Sequence, residues 1–273
     1  MISVLLPVYK GDNPRHFDLA IESIYNQTFK NFELVLVVDG PLKDSHYKIL
    51  EKWEGLFKER MKVVYLKENR GLANALNEGL KRCSFGLVAR MDSDDFSLPE
   101  RLEVQYNFMK EHPEVDVVGS YIGEFFDDVN NVSLVREVPI DHQDIIKIMW
   151  LRSPFNHVSV MFKKEVVAKV GNYDPLFGDD DFLWAKMAVA GSKFHNIPQC
   201  LVKVRVGADM YKRRGGIKLF FQDFRVKRYL FAQGRMNLFQ LASVALIFFA
   251  VRLMPNSLRK ILYSIIRKKP KIK

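Results

Sequence analysis

Arg90-Met91-Asp92-Ser93-Asp94-Asp95-Phe96-Ser97-Leu98-Pro99 follows an apolar run, Phe85-Gly86-Leu87-Val88-Ala89. The run reads as a short buried strand, Phe85 to Met91. Three carboxylates then arrive within four positions, and Pro99 with Glu100 marks the first turn of a helix reaching Glu111. In an open α/β sheet, ligands sit beyond the carboxyl ends of the strands. Asp92, Asp94 and Asp95 therefore belong in one such crevice. Three like charges packed together need a cation or hydrogen bonds to offset them. Hard oxygen ligands, few of them from protein, suit Mg²⁺ or Mn²⁺, with phosphate and water completing the shell. The alternative is a solvated turn that caps a helix.

Outward from this stretch, strands and helices alternate. Ile2 to Val8, Phe32 to Val38 and Lys62 to Leu66 read as strands. Asp18 to Tyr25, Ser45 to Lys58 and Leu72 to Leu80 read as helices. That alternation implies a mostly parallel sheet with right-handed crossovers. After Pro113 the pattern turns more antiparallel. Strands are expected at Val115 to Ile122, Ser133 to Val138, Val158 to Phe162, Phe194 to Ile197 and Cys200 to Val206, and helices at Gln143 to Leu151, Lys164 to Val170 and Phe182 to Ala190. The fold class is α/β: a Rossmann-like mixed sheet flanked by helices.

The 273 residues carry a net charge of +10, distributed unevenly. Residues 1–202 hold 24 Lys/Arg and 30 Asp/Glu, net −6; residues 203–273 hold 18 and 2, net +16. We therefore expect a body over 1–206 and a basic helical appendage over 207–273. Lys218 to Phe231 mixes aromatic and basic residues at helical spacing. Leu238 to Met254 is apolar but falls short of the roughly 20 residues a spanning helix needs. It reads as an interfacial helix on an anionic membrane, followed by a second amphipathic helix over Asn256 to Arg267. Cys83 and Cys200 match no metal spacing and fit a reducing compartment. Ile2 to Val8 is already strand-like, so no signal peptide is expected.

Tyr9 and Asp39 follow the first two strands and belong in one crevice. An aromatic face there can stack on a base, and a carboxylate can accept from an N–H flanked by two carbonyls. No Gly-x-Gly-x-x-Gly or Walker sequence is present, which argues against a dinucleotide enzyme and a P-loop ATPase. Arg70, before the helix at Leu72, is a candidate anion contact. Gly178-Asp179-Asp180-Asp181 is a second acidic cluster; it either caps a helix or supplies a general base. His157 is a candidate phosphate or acceptor contact.

Leu5-Leu6-Pro7-Val8-Tyr9, Gln27-Thr28-Phe29, Glu33 to Asp39, Asn69-Arg70-Gly71-Leu72, Asp92-Ser93-Asp94-Asp95, Pro99-Glu100-Arg101-Leu102, His157 to Met161 and Asp179-Asp180 fall in order. Together they resemble the family 2 glycosyltransferases of GT-A fold, over roughly residues 1–206. The tail, with Val204-Arg205-Val206, Lys212 to Gly216 and Leu253-Met254-Pro255-Asn256, resembles the branch that builds amylovoran and capsular polysaccharide units. The resemblance implies a nucleotide-sugar donor, usually UDP-linked, inversion at the anomeric carbon, and Mn²⁺ or Mg²⁺. Carried over by position, Pro7, Tyr9, Asp39, Arg70 and Asp92 meet the nucleotide, and Asp94, with Asp92, the metal. Asp95 lies behind them. The family's Glu-Asp pair falls on Asp179-Asp180, so the base is Asp180 or Asp179. The Gln-x-x-Arg-Trp motif of processive synthases is missing, which points to single-sugar transfer. A lipid-linked glycan acceptor then implies a cytoplasmic, peripheral place at the inner face of a bacterial membrane, with no nucleic-acid partner. One alternative is a nucleic-acid-binding protein using Tyr211, Phe220, Phe221 and Phe224 of the tail. Another is an Asp-nucleophile phosphatase at Asp92-Ser93-Asp94, which lacks the expected threonine and lysine.

Overall fold

The computed structural model describes residues 1–176, 180–207 and 216–255. The helix expected at Asn256 to Arg267 lies outside them, as does Asp179.

Two seven-residue apolar runs set the centre. β1 (Ile2–Val8) and β2 (Phe32–Val38) are buried along their whole length, as strands covered on both faces must be. They pair in parallel from Ile2↔Phe32 to Val8↔Val38. β3 (Met61–Tyr65) flanks β2, and β4 (Leu87–Arg90) flanks β1, both in parallel. Beyond β4 the directions alternate. β8 (Met161–Lys163) runs antiparallel to β4 and to β6 (Val117–Phe125), whereas β9 (Phe194–Arg205) is parallel to β6. β5 (Phe96–Ser97) closes the far edge on β9, and β7 (Val132–Arg136) hangs from β6. The nine strands form one mixed sheet in the order β3-β2-β1-β4-β8-β6-β9-β5, with β7 off the path.

The strand period of two divides the core. Val4, Leu6 and Val8 face one cluster with helices α1 (Pro14–Tyr25), α2 (Asp44–Phe57) and α4 (Arg101–Glu111). Leu5, Val35 and Val37 face the other, with α3 (Leu72–Arg82), α5 (His142–Ile148), α6 (Lys164–Lys169) and α7 (Asp180–Val189). The tail helices α8 (Ile217–Ala232) and α9 (Leu238–Leu253) add Val226, Leu230 and Val244 to this second core. One polar residue inside β2 is fully accounted for. Glu33 accepts from Ser3 Oγ and the Ser84 N–H, each at 2.6 Å, and pairs with Lys62 at 2.7 Å.

Several boundaries differ from expectation: the strand expected at Val158 to Phe162 is a 3-10 turn over His157–Ser159 followed by β8, and three further differences have plain causes. The helix after the acidic stretch starts at Arg101, because Leu98 to Glu100 form a turn closed by Arg101 N–H on Leu98 O, and Phe96–Ser97 has become a strand. The expected strands at Phe194 and Cys200 are one. β9 continues through Pro198, and its register against β6 shifts between Ser120 and Ile122, letting Pro198 and Gln199 pass unpaired. A bulge is the tolerated place for a residue without an N–H. α1 begins at Pro14 rather than Asp18, with the Asn13 side chain capping it through the Arg15 N–H at 2.9 Å.

Candidate active site

Register alone brings Tyr9 and Asp39 together. β1 and β2 end level at Val8↔Val38, and the Asp39 N–H donates to Val8 O at 2.8 Å. The Asp39 carboxylate, nearly buried, accepts from the Arg70 N–H at 2.7 Å and the Gly71 N–H at 3.0 Å. It therefore ties down the turn that starts α3. That turn approaches closely enough to need Gly40: φ there is +83°, and a Cβ would stand 2.5 Å from Asn69 N. The Tyr9 ring lies back over Gly11, where a Cβ would meet it at 2.4 Å.

β4 delivers the acidic turn. Arg101, fully buried, reaches under it and donates from Nη2 to Arg90 O at 2.7 Å and from Nε to Gln105 at 3.1 Å. Gln27 fixes the other side, donating to Ser97 Oγ and Leu98 O and accepting from the Leu102 N–H. Held this way, the carboxylate oxygens of Asp92, Asp94 and Asp95 lie within 4.8 Å of one another. Their surroundings differ. Asp92 is clasped by both terminal nitrogens of the buried Arg90 guanidinium. Asp95, buried, accepts from the Arg205 N–H at 2.8 Å; burial, then Asp92 and Asp94, push its carboxyl well up. Asp94 is half-buried, and burial with the Asp92 and Asp12 charges raises it to about 6. A hard divalent cation is what such a donor set accommodates, and the raised carboxyls are what its charge would relieve.

Two groups at this place were assigned no site role from the sequence. Asp12 accepts from Ser93 Oγ at 2.6 Å and from the Tyr9 N–H at 3.1 Å, and burial raises its carboxyl. The Arg205 guanidinium spans Asp94 O, Phe126 O and Asp127 O and lies over the Phe125 ring. A carboxylate just past a strand end was the available cue for Asp12; for Arg205 it was the quoted Val204-Arg205-Val206. All of these groups open onto one cavity of about 540 Å³, lined by Pro7, Tyr9, Asp12, Asp39, Asp92 to Asp95 and Arg205. The Arg70 side chain is exposed and lies outside that lining; only its backbone takes part.

A second group of side chains stands behind Arg90. Asp180, the first residue of α7, accepts from Trp184 Nε1 at 3.2 Å. His157 Nε2 and Tyr173 Oη are 2.9 Å apart, and the His157 ring meets Trp184 edge-on. Burial and then the Arg90 charge hold His157 well below the usual histidine range, so it is neutral. Burial raises Arg90's ordinary cost, but Asp92 foremost, with Tyr173 and Asp180 behind it, keeps the guanidinium charged. Arg90 thus pairs with the acidic turn through Asp92 and also feels the charge of Asp180.

Comparison with known proteins bears on the chain's family and fold. Residues 3–171 match the Glycosyl transferase family 2 profile. The amylovoran biosynthesis glycosyltransferase AmsE of Erwinia amylovora is 35% identical over 98% of this chain and 100% of its own length. An Escherichia coli UDP-Gal:alpha-D-GlcNAc-diphosphoundecaprenol beta-1,3-galactosyltransferase is 33% identical over 96% of this chain and 94% of its own. Among solved structures, S. aureus TarS 1–349 in complex with UDP-GlcNAc superposes with TM-score 0.68 at 18% identity, over 91% of this chain and 71% of that one. The mannosyltransferase PcManGT of Pyrobaculum calidifontis, in complex with GDP-Man and Mn²⁺, superposes with TM-score 0.63 at 17% identity, over 97% and 79%. Those two share the GT-A-type fold. With a family match across more than half its length and full-length relatives above 30% identity, this chain belongs to glycosyl transferase family 2.

Proposed function

We propose that this glycosyltransferase moves one sugar, with inversion, from a UDP-sugar to a lipid-linked glycan during bacterial surface-polysaccharide synthesis. The observation that carries the reading is the cavity itself, lined by Tyr9, Asp39 and three aspartates with carboxylate oxygens within 4.8 Å of one another. Tyr9 stacks on the base. Asp39 meets its polar edge, using lone pairs left after the Arg70 and Gly71 N–H groups. Asp94, with Asp92, would hold Mn²⁺ or Mg²⁺, which when bound would supply positive charge for the departing diphosphate. Asp92 is already committed to Arg90, so Asp94 is the freer ligand. Asp180 takes the proton from the acceptor hydroxyl, which attacks the anomeric carbon opposite the diphosphate; Asp179 is the other candidate. His157, neutral and bonded to Tyr173, shapes the acceptor side rather than pairing with phosphate as a cation.

The relatives supply the chemistry of the substrates: one is named for UDP-Gal and a diphosphoundecaprenol acceptor. The surface supports a lipid acceptor too. Among the described residues no helix is long and apolar enough to cross a membrane. α9 instead buries Val244 and turns Phe239, 80% exposed, Leu246, 71% exposed, and Phe249 outward. With the +16 charge of residues 203–273, that face suits an anionic bilayer. The nucleic-acid reading is less well supported, since Phe220 and Phe224 stack on each other and Phe220 meets Phe249 edge-on.

Calorimetric titration with UDP, with and without Mn²⁺, tests the reading. Metal-dependent binding that is lost in Asp94→Ala is expected. Absence of UDP binding under every condition would overturn it. For the base, Asp180→Asn should abolish transfer while leaving UDP binding intact.

A further inference from the structure

Arg90 is a buried cation whose side-chain hydrogen bonds run to a single carboxylate. The side chain is 4% exposed, and its two terminal nitrogens hold both oxygens of Asp92, Nη1 on Oδ2 at 2.5 Å and Nη2 on Oδ1. Its Nε is buried and has no hydrogen-bond partner. The backbone gives it little slack. The Arg90 N–H donates to Val160 O at 3.0 Å, its carbonyl accepts from Arg101 Nη2, and β4 holds it opposite Leu5 of β1. A carboxylate has about four lone-pair sites, and a two-pronged guanidinium takes one on each oxygen. A cation approaching Asp92 is left one oxygen at a time, against the repulsion of the guanidinium. The neighbouring carboxylates are engaged as well. Asp95, 3% exposed, accepts from the Arg205 N–H, and Asp12 accepts from Ser93 Oγ and the Tyr9 N–H on one oxygen. The protein by itself therefore offers a hard divalent ion little beyond Asp94. Mg²⁺ and Mn²⁺ sites commonly use one or two carboxylates and complete the shell with substrate phosphate and water.

We propose that Arg90 is a positioning residue that clasps Asp92 away from a divalent cation, so that the ion binds firmly only together with the diphosphate of the donor. The inference rests on the reading of the acidic turn as the metal and UDP-sugar site. Groups bonded to a metal ligand ordinarily strengthen the site, and their loss weakens it. Arg90 works in the opposite sense, because it is itself a cation competing for the ligand's oxygens. Removing it frees Asp92 and takes away a repelling charge. Asp92 is one third exposed, 33%, so it stays solvated once the guanidinium is gone, and an apolar side chain suits the buried place that Arg90 vacates.

The test is a calorimetric titration of the full-length protein with Mn²⁺, without UDP and with it. In the parent, Mn²⁺ alone should bind weakly and UDP should tighten it. In Arg90→Met the affinity for Mn²⁺ alone should rise by about tenfold or more, the size of effect carried by groups bonded to a metal ligand. The factor by which UDP tightens Mn²⁺ should shrink to match. Arg90→Lys keeps the charge but can hold only one oxygen, and should fall between parent and Arg90→Met. A residue that served the fold alone would, when replaced, leave Mn²⁺ binding unchanged or weaken it. Unchanged or weaker Mn²⁺ binding in Arg90→Met that unfolds cooperatively in urea therefore overturns the proposal. If Arg90→Met does not fold, Arg90→Lys must raise the UDP-free affinity, and no rise there overturns it equally. Failure of the underlying reading looks different: Asp94→Ala would keep Mn²⁺-dependent UDP binding. Loss of that binding in Asp94→Ala, with no change in Arg90→Met, overturns the inference about Arg90 alone.

Discussion

Asp94 holds its proton more firmly than a free aspartate, at about 6 against 3.8, because burial and two neighbouring carboxylates disfavour its charge. Across that window the native state binds more protons than the unfolded one, so stability falls as pH rises through it. Asp94→Asn removes the titration. In the presence of a chelator the variant should be more stable than the parent at pH 7.5 by about 1–2 kcal/mol, discounting for partial solvent exposure. The gap should close by pH 4, as urea titrations at the two pH values can read. Mn²⁺ affinity should weaken as pH falls through about 6, when protons compete for the same oxygens. The triad was legible because its members sit within four positions behind an apolar run. Asp12 and Arg205 were not, since they reach the site across 81 and 110 positions through Ser93 and Asp95. Spacing rules cannot see such distances. The bond from Arg90 to Asp92 spans only two positions, yet it too was missed. A strand's alternation points residues 90 and 92 to one side, but nothing in the pattern says that the cation is buried.

At the level of elements, two joints hold the cavity's walls. Gln27, at the end of α1, makes four hydrogen bonds, to Ser23 O, Ser97 Oγ, Leu98 O and the Leu102 N–H. It staples α1 to β5 and to the start of α4. Gln27→Leu strands a buried carbonyl and a helix-end donor, and should cost about 2–4 kcal/mol in chemical denaturation. The second joint is the turn at 68–71. Gly40→Ala places a methyl 2.5 Å from Asn69 N at a φ of +83°. The turn must retreat from Asp39, and UDP affinity should fall about tenfold, with a loss of about 1–3 kcal/mol in stability. The first four strands were readable because short, mostly apolar runs rich in Val and Leu, broken only by Ser3, Glu33, Lys62 and the terminal Arg90, alternate with helical segments. β5 was not, since two residues carry no period. Nor was the continuity of β9, because Pro198 ordinarily ends a strand and only the bulge against β6 rescues it.

For the whole molecule, the question is what an asymmetric charge and an outward apolar face accomplish together. α9 lacks the polar outer face of a typical surface helix. Val244, Leu241 and Phe248 pack inward, and the face opposite, Phe239, Leu246 and Phe249, is apolar as well. Water gives no reason for such a surface, whereas a bilayer interface does. On the proposed reading, long-range attraction from the basic tail would bring the chain to anionic lipid, and the apolar side chains would then hold it there. The two contributions separate experimentally because salt screens only the first. Phe239→Asp with Leu246→Asp removes two anchors, each worth about 1.5–3 kcal/mol of burial. Sedimentation with vesicles containing a third phosphatidylglycerol should therefore show binding reduced by well over tenfold, at low and at high salt alike. The parent should weaken steeply between 50 and 500 mM NaCl. Calorimetry with UDP should be unchanged in the double variant, since Tyr9, Asp39 and the acidic turn lie on other elements. Equal vesicle binding by parent and variant would leave the outer face of α9 without a lipid partner. Transfer to a water-soluble acceptor should survive the substitutions, and transfer to a lipid-linked one should not, because only the second requires the enzyme and its acceptor to share a surface.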